Sequence, residues 1–192
     1  MYRIYNTEAV VLSGSPTSEG SRTFSLLTED FGLIQAHAEG VRKSASKFRH
    51  ALQTFSLVSV SLVRGRGKFR IIHANTTSSY REIMKSVPGA LSLCGRISWL
   101  LRRMIPEEEK NRAVYLSVKE FFLLLPKMQE EQFPLLEIAA VMRILSALGY
   151  FPARSEYHTL FEGDISLVLP RIKDLRKNII ADINTALVDS HL

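Results

Sequence analysis

Residues 40–55 read GVRKSASKFRHALQTF. On either side of this stretch apolar residues recur at every second position. Inside it the period changes. Ala45, Phe48, Ala51 or Leu52, and Phe55 lie three or four apart, so one side of a short helix faces a core. Lys43, Lys47 and His50 fall on the opposite side. The stretch also packs Arg42, Lys43, Lys47 and Arg49 together with no acid among them.

Outward from the helix, both flanks read as strands. On the N-terminal side, TEAVVLS (7–13) is a short apolar run followed by GSPTSEGS, a loop by composition. RTFSLLT (22–28) is strand-like, and EDFG after it suits a tight connection through Asp30 and Gly32. LIQAHAEG (33–40) alternates, with Ile34, Ala36 and Ala38 on one face and Gln35, His37 and Glu39 on the other. On the C-terminal side, FSLVSVSLV (55–63) alternates Val and Ser, which puts Leu57 and Val63 on the more polar face. RGRG (64–67) supplies a glycine turn and KFRIIHA (68–74) closes a hairpin. Three strands, a short helix and two strands is the order of a five-stranded OB-fold β-barrel, whose free face and loops suit oligonucleotides.

From about residue 80 the period is helical. PGALSLCGRISWLLRRMI (88–105) carries an apolar stripe of Ala90, Leu93, Ile97, Leu100/Leu101 and Met104, with Arg96, Arg102 and Arg103 outside it. PEEEKNRAVYLSVKEFFLLL (106–125) opens on Pro106 and three glutamates, which suit a helix N-terminus. FPLLEIAAVMRILSALGYFP (133–152) buries Leu135, Ile138, Met142 and Leu145, with Gly149 as its cap and Pro152 as its stop. A last amphipathic piece spans 170–188. The expected class is therefore α+β. An OB-fold nucleic-acid-binding domain occupies 1–79, and an all-α domain of four packed helices occupies 80–192.

Composition narrows the function classes. An apolar content of 46% over 192 residues supports a real core. The longest apolar runs are too short for a membrane span, and the first twenty residues lack the apolar stretch of a secretory signal. A cytoplasmic protein is expected. One cysteine, Cys94, leaves no intramolecular disulfide and no cysteine-rich zinc module, and its position in an apolar stripe makes it a core residue. The five histidines show no metal-ligand spacing, and His37 and His73 are placed on outer faces. No metal and no cofactor are expected.

Catalysis finds little support. Ser44-x-x-Lys47 has the spacing of a nucleophile and base. That chemistry needs a lysine of lowered pKa in a buried setting, and here the neighbours are cations. GRGK at 65–68 lacks the length and the Ser/Thr of a phosphate-cradling loop and reads as a hairpin turn. The chain is not expected to be an enzyme.

Charge is the stronger signal. Of the net +6, residues 1–80 hold ten Lys/Arg against five Asp/Glu, and residues 40–70 hold eight cations and no acid. A one-sign field of this kind suits a polyanion, and counterion release from phosphates drives such binding. The candidate DNA contacts are Arg22, Arg42, Lys43, Lys47, Arg49, Arg64, Arg66, Lys68 and Arg70. Phe24, Phe48, Phe55 and Phe69 are candidates for base stacking, although Phe48 and Phe55 have core-like spacing.

The first eighty residues resemble the RecO family of bacterial recombination mediators. The matching pieces are EAVVLSG (8–14), EGSRTFSLLTEDFGLIQAHAEGVRK (19–43) and ALQTFSLVSVSLVRGRG (51–67) with the hairpin after it. They form one collinear set. LGYFP (148–152) is similar to the family's helix end before its last segment. The resemblance implies an OB-fold followed by a helical domain, and binding of single- and double-stranded DNA, hence a nucleoid-associated protein. It also implies annealing of complementary strands and work with a RecR-type partner, which together help load recombinase onto DNA coated by single-strand-binding protein. It further implies docking on the acidic C-terminal tail of that protein through the helical part. Arg96, Arg102 and Arg103 are candidates for the tail contact only because they are basic. Many family members carry a four-cysteine zinc module after the GY-P point. ARSEYHTLFEGD (153–164) stands there instead, so no zinc is expected. Two other readings share the electrostatics: an adaptor for acidic protein tails, and an RNA-binding module.

Overall fold

The computed structural model describes residues 3–18, 20–41, 47–65, 67–79 and 87–190. The chain divides into two compact units, Met1–Ile83 with Ile105–Tyr115, and Met84–Met104 with Leu116–Leu192.

The first unit is built on five strands and a short helix: β1 (Ile4–Ser18), β2 (Ser21–Thr28), β3 (Gly32–Ala38), α1 (Lys47–Ala51), β4 (Ser56–Arg64) and β5 (Phe69–Ser79). The strands close into a barrel in the order β1-β2-β3-β5-β4. The expected order of elements is therefore present, with the helix between the third and fourth strands. Ala9, Val11, Phe24, Leu26, Ile34, Ala36, Val58, Val60, Leu62, Phe69 and Ile71 form its core, and Val41, Ala51 and Leu52 of the α1 region join them.

Three local expectations differ. β1 does not end at Ser13. It runs on through GSPTS, because Ser13, Gly14, Ser15 and Pro16 pair with Ser25, Phe24, Thr23 and Arg22 of β2. A long hairpin satisfies the backbone where composition alone suggests a loop. Leu57 and Val63 do not lie on a polar face; they are 4% and 7% exposed. Leu57 pairs with Val10, Val10 with Leu27, and Leu27 with Leu33. These four make an apolar row across the outside of the barrel, and all are buried. Phe55 is not a core residue. It is half-buried at a left-handed φ of 69°, and its N–H donates to the Val11 carbonyl at 2.7 Å.

The segment 105–115 explains part of this outer burial. β3 meets β5 in parallel at Ala36↔Phe69 and His37↔Arg70. Within that pairing the first residues of β3 have no β5 partner, and the segment supplies one. Leu33 bridges to Glu107 in parallel, and the Glu108 N–H donates to the Leu33 carbonyl at 2.8 Å. Lys110 pairs with Asp30 at 3.2 Å, Arg112 with Glu29 at 3.0 Å, and the Tyr115 hydroxyl donates to Glu8 at 3.0 Å. Burial, then Glu8, pushes the Tyr115 phenol well above its ordinary pKa, so it stays a donor.

This strap overturns the reading of the three glutamates as a helix start. The helix α3 begins at Arg112 and runs to Leu124. Asn111 caps it, its side chain accepting from the Val114 N–H at 3.0 Å. Asn is a strong N-cap, so the helix starts there while the residues before it pair with β3.

The second unit holds α2 (Ala90–Met104), most of α3, α4 (Phe133–Ala147), α5 (Ile165–Asp174) and α6 (Arg176–Asp189). α4 packs against α2, α5 and α6. Its run of apolar residues is buried nearly all round, as expected of a central helix. Leu136 takes the buried place expected of Leu135, which is half-buried. Gly149 ends the α4 region at φ +81°, its N–H on the Ser146 carbonyl. The last piece is two helices rather than one. α5 starts early because Asp164 caps it, accepting from the Ser166 N–H at 2.8 Å. Cys94 is fully buried, and that burial pushes its thiol up to about 12.

Gly32 tests the strap. Its φ is +67°, and a Cβ there would fall on the Glu109 carbonyl. Gly32→Ala should destabilise by about 2 kcal/mol or more, seen as a lower urea midpoint by circular dichroism. Gly95→Ala in α2, with open space around it, should be neutral or stabilising by up to about 1 kcal/mol.

Candidate nucleic-acid interface

The barrel core is capped where β1 begins, where β2 turns into β3, and where β5 begins. Three aromatic residues meet there. Tyr5 and Phe31 lie edge-on at 5.4 Å, Phe31 and Phe69 are tilted at 5.5 Å, and Tyr5 and Phe69 are 6.5 Å apart. Phe69 is 2% exposed, whereas Tyr5 and Phe31 are only half-buried. Two guanidiniums sit over this cap, Arg3 at 5.2 Å from the Tyr5 ring and Arg64 at 5.0 Å from the Phe69 ring. Cations over aromatic faces keep their charge while part of their hydration is replaced by the ring.

The β4–β5 turn stands beside the cap. The Gly65 N–H donates to the Lys68 carbonyl at 2.9 Å, which closes the turn and leaves Lys68 exposed. A cleft of about 220 Å³ is lined by Val63, Arg64, Gly65 and Arg70. From Arg70 a cross-strand row continues through His37 and Thr23 to Ser15. Thr17 and Thr23 share a hydrogen bond at 2.7 Å. This outer row is polar and, apart from Arg70, carries hydroxyls and an imidazole.

The candidate cations separate by what they touch. Arg49 on α1, Lys68 and Arg70 are exposed. Arg70 lies 3.9 Å from Glu39 with both side chains largely solvated, a weak pair. Arg64 is engaged: its Nη2 donates to Glu108 Oε2 at 2.6 Å. Arg22 is engaged more fully. It lies 5.5 Å from the Phe24 ring and donates to the Gly14 carbonyl at 2.6 Å, bracing the β1–β2 hairpin. Arg42, Lys43 and Arg66 lie outside the described residues, and Lys47 is the first residue of α1. Among the stacking candidates, Phe24 is 1% exposed, so Phe24 and Phe69 serve the core, and Phe48 packs partly against it.

Sequence reasoning missed Arg3, Tyr5 and Phe31, which belong to the cap, and Glu108, which faces Arg64. Only the barrel's closure brings residues 5, 31 and 69 together. The Glu108 contact had one legible clue. Asn111 is a better N-cap than anything in PEEE, and starting the helix there frees the glutamates for another role.

In the helical unit, Arg96 is held by both oxygens of Glu137, at 2.6 and 2.8 Å, and these bonds raise its pKa further. Arg102 turns back to the Ser98 carbonyl, and Arg103 lies 5.8 Å from the ring of Trp99. Trp99 is 54% exposed and lines an apolar groove of about 730 Å³ with Ile97 and Leu100 of α2, Ile138 and Val141 of α4, and Ile180 of α6. Among the described residues no group of three His, Cys, Asp or Glu gathers as a metal site, and no helix is long and apolar enough to cross a membrane.

Comparison with known proteins matches residues 1–80 to the family model for the N-terminal part of recombination protein O. That match covers the whole barrel and its cap strands. Residues 1–80 thus carry the N-terminal part of the RecO family. It is 28% identical over 150 residues to the DNA repair protein RecO of Caldanaerobacter subterraneus subsp. tengcongensis, covering 78% of this chain and 60% of that one. With the DNA repair protein RecO of Dehalococcoides mccartyi (strain ATCC BAA-2266 / KCTC 15142 / 195) the identity is 32% over 111 residues, 58% of this chain and 44% of the relative. The protein of the same name from Gloeothece citriformis is 28% identical over 73% of this chain and 53% of its own length. The chain thus spans about half of the length of the curated relatives it matches. The chain carries an OB-like barrel and a helical unit.

The contacts predict different roles for the arginines. Arg22→Ala should cost about 1–2 kcal/mol of stability, through the lost bond to Gly14 and the uncovered Phe24 ring. Arg49→Ala and Lys68→Ala should stay within about 0.5 kcal/mol of the parent. Urea midpoints of the three variants check this.

Proposed function

We propose that this RecO-family chain binds DNA through its barrel unit and acts as a recombination and repair mediator that anneals complementary strands. The observation that carries the reading is the barrel cap: half-buried Tyr5 and Phe31 beside Phe69, under Arg3 and Arg64, next to exposed Lys68 and Arg70. Aromatics offer a sequence-tolerant surface to bases, and the cations track phosphates. The mechanism is electrostatic and needs no covalent chemistry. Cations neutralise one strand, which lowers its repulsion for a second, so that complementary bases meet. Arg42, Lys43, Lys47, Arg49 and Arg66 are proposed as further phosphate contacts, while Arg22 contributes mainly by bracing its hairpin. Contacts to double-stranded DNA use the same phosphate chemistry.

The partner half of the reading concerns the helical unit. An acidic C-terminal tail of single-strand-binding protein would meet the groove at Trp99, where an apolar floor lies beside Arg103 and Arg96. Arg96 is already paired with Glu137, so Arg103 is the stronger contact of the two, and Arg102 is the weaker third. Work with a RecR-type partner, and loading of recombinase onto DNA coated by single-strand-binding protein, rest on family membership. The same groove is what favours the second reading, an adaptor for acidic tails with DNA incidental.

The expected result is salt-sensitive binding with weak sequence preference. Arg49→Ala, Lys68→Ala and Arg70→Ala combined should lower the log–log salt slope for single strands by about 2, at about 0.7 per phosphate contact, and slow annealing. Fluorescence titration over a salt series and a strand-annealing assay measure this. An unchanged slope and annealing rate in the folded triple variant would remove the barrel's role. Tight binding of the acidic tail peptide without DNA binding at physiological salt would favour the adaptor.

A further inference from the structure

The Arg64 guanidinium lies over Phe69 and lines the cleft with Arg70. Its Nη2 is already met by an anion, Glu108 Oε2, at 2.6 Å. That carboxylate is not on a free tail. The Glu108 backbone donates to the Leu33 carbonyl, its neighbour Glu107 bridges to Leu33, and Glu108 itself sits at a left-handed φ of 62°. Such a conformation is uncommon for a residue with a side chain and persists where surrounding contacts hold it. Pairing with β3 therefore keeps a carboxylate at Arg64.

We propose that Glu108 is a built-in competitor for phosphate at Arg64. This rests on the reading that the barrel cap meets nucleic acid. A carboxylate and a phosphate offer the same guanidinium the same kind of oxygen acceptors, so they compete for its Nη2 edge. The pair is displaceable because both side chains are partly solvated, 52% and 38% exposed, and exposed pairs are weak. A strand takes the Nη2 edge of Arg64 only by evicting Glu108. Arg49, Lys68 and Arg70 have no such tethered rival among the described residues, since Glu39 stands 3.9 Å from Arg70 with both groups largely solvated. The consequence is graded binding. Weakly held DNA uses the open cations, and Arg64 joins only when local phosphate density is high.

Glu108→Gln keeps the side chain's shape and removes its charge. In the full chain it should tighten binding of a short oligothymidylate by about two- to five-fold, the range expected of an exposed pair. It should also steepen the salt slope by about 0.7, one more phosphate contact. Glu109→Gln makes the same change in net charge and should have a smaller effect. In an Arg64→Ala background, Glu108→Gln should have no effect. Equal binding by Glu108→Gln and the parent, or tightening that survives Arg64→Ala, would overturn the proposal. Pyrophosphate, followed by the NMR signal of the Arg64 Nε–H (assigned by its loss in Arg64→Ala), keeps the test independent of DNA. Pyrophosphate should move that signal at lower concentration in Glu108→Gln than in the parent. Identical titrations would overturn the proposal even if the DNA reading stands. A shift confined to Glu108→Gln would support it even if neither protein binds oligothymidylate.

Discussion

β3 meets β5 over two residue pairs, and much of the first unit follows from how the chain completes the rest of that edge. An edge strand with unpaired N–H and C=O groups is costly to bury and hazardous to expose. Here Glu107 and Glu108 pair with Leu33, and Asp30, Glu29 and Glu8 fasten the residues that follow. The glycine at position 32 is what lets the strap approach, since its φ is positive and any Cβ would meet the Glu109 carbonyl. The late start of α3 at Arg112 has the same origin.

The same strap changes the electrostatics of the barrel. A stretch of eight cations without an acid looks like an open field in one dimension. In three dimensions Glu108 reaches Arg64 and Glu39 approaches Arg70, both from outside the stretch. The surviving field is carried by side chains that remain solvated. Exposed charges attract anions at range and are screened by salt.

The helical unit is organised around α4, whose one deeply buried cation pins the irregular segment after it. Arg143 donates to Glu120 at 2.9 Å and to the carbonyls of Leu160 and Gly163. Burial pulls its pKa down and Glu120 opposes that, so the charge is kept by its partner. A second tie joins the segment to α6: Asp182, 8% exposed, accepts from Tyr157 at 2.7 Å and from Arg154 at 2.6 Å. A residue-by-residue pattern does not reveal such ties, because each is a single long-range contact that leaves no periodicity.

By itself the sequence determined the strand–helix–strand order, the buried faces of Ile34–Ala36–Ala38 and of α2, the burial of Cys94 and the turns at Gly32 and Gly149. These are local: side-chain period and the φ that glycine allows are written in neighbouring residues. Tertiary structure decided the rest. It lengthened β1, because pairing with β2 outweighs the loop composition of GSPTS. It buried Leu57 and Val63 on what period two marks as an outer face, since an outer face is polar only where nothing covers it. It moved the glutamates 107–109 from a helix start to a strand edge, and it assembled Tyr5, Phe31 and Phe69 under Arg3 and Arg64. The physical reason is common to all four. Backbone pairing and burial depend on which segments meet in space, across a hairpin, along a strand edge or around the closed barrel, and no local period encodes those meetings.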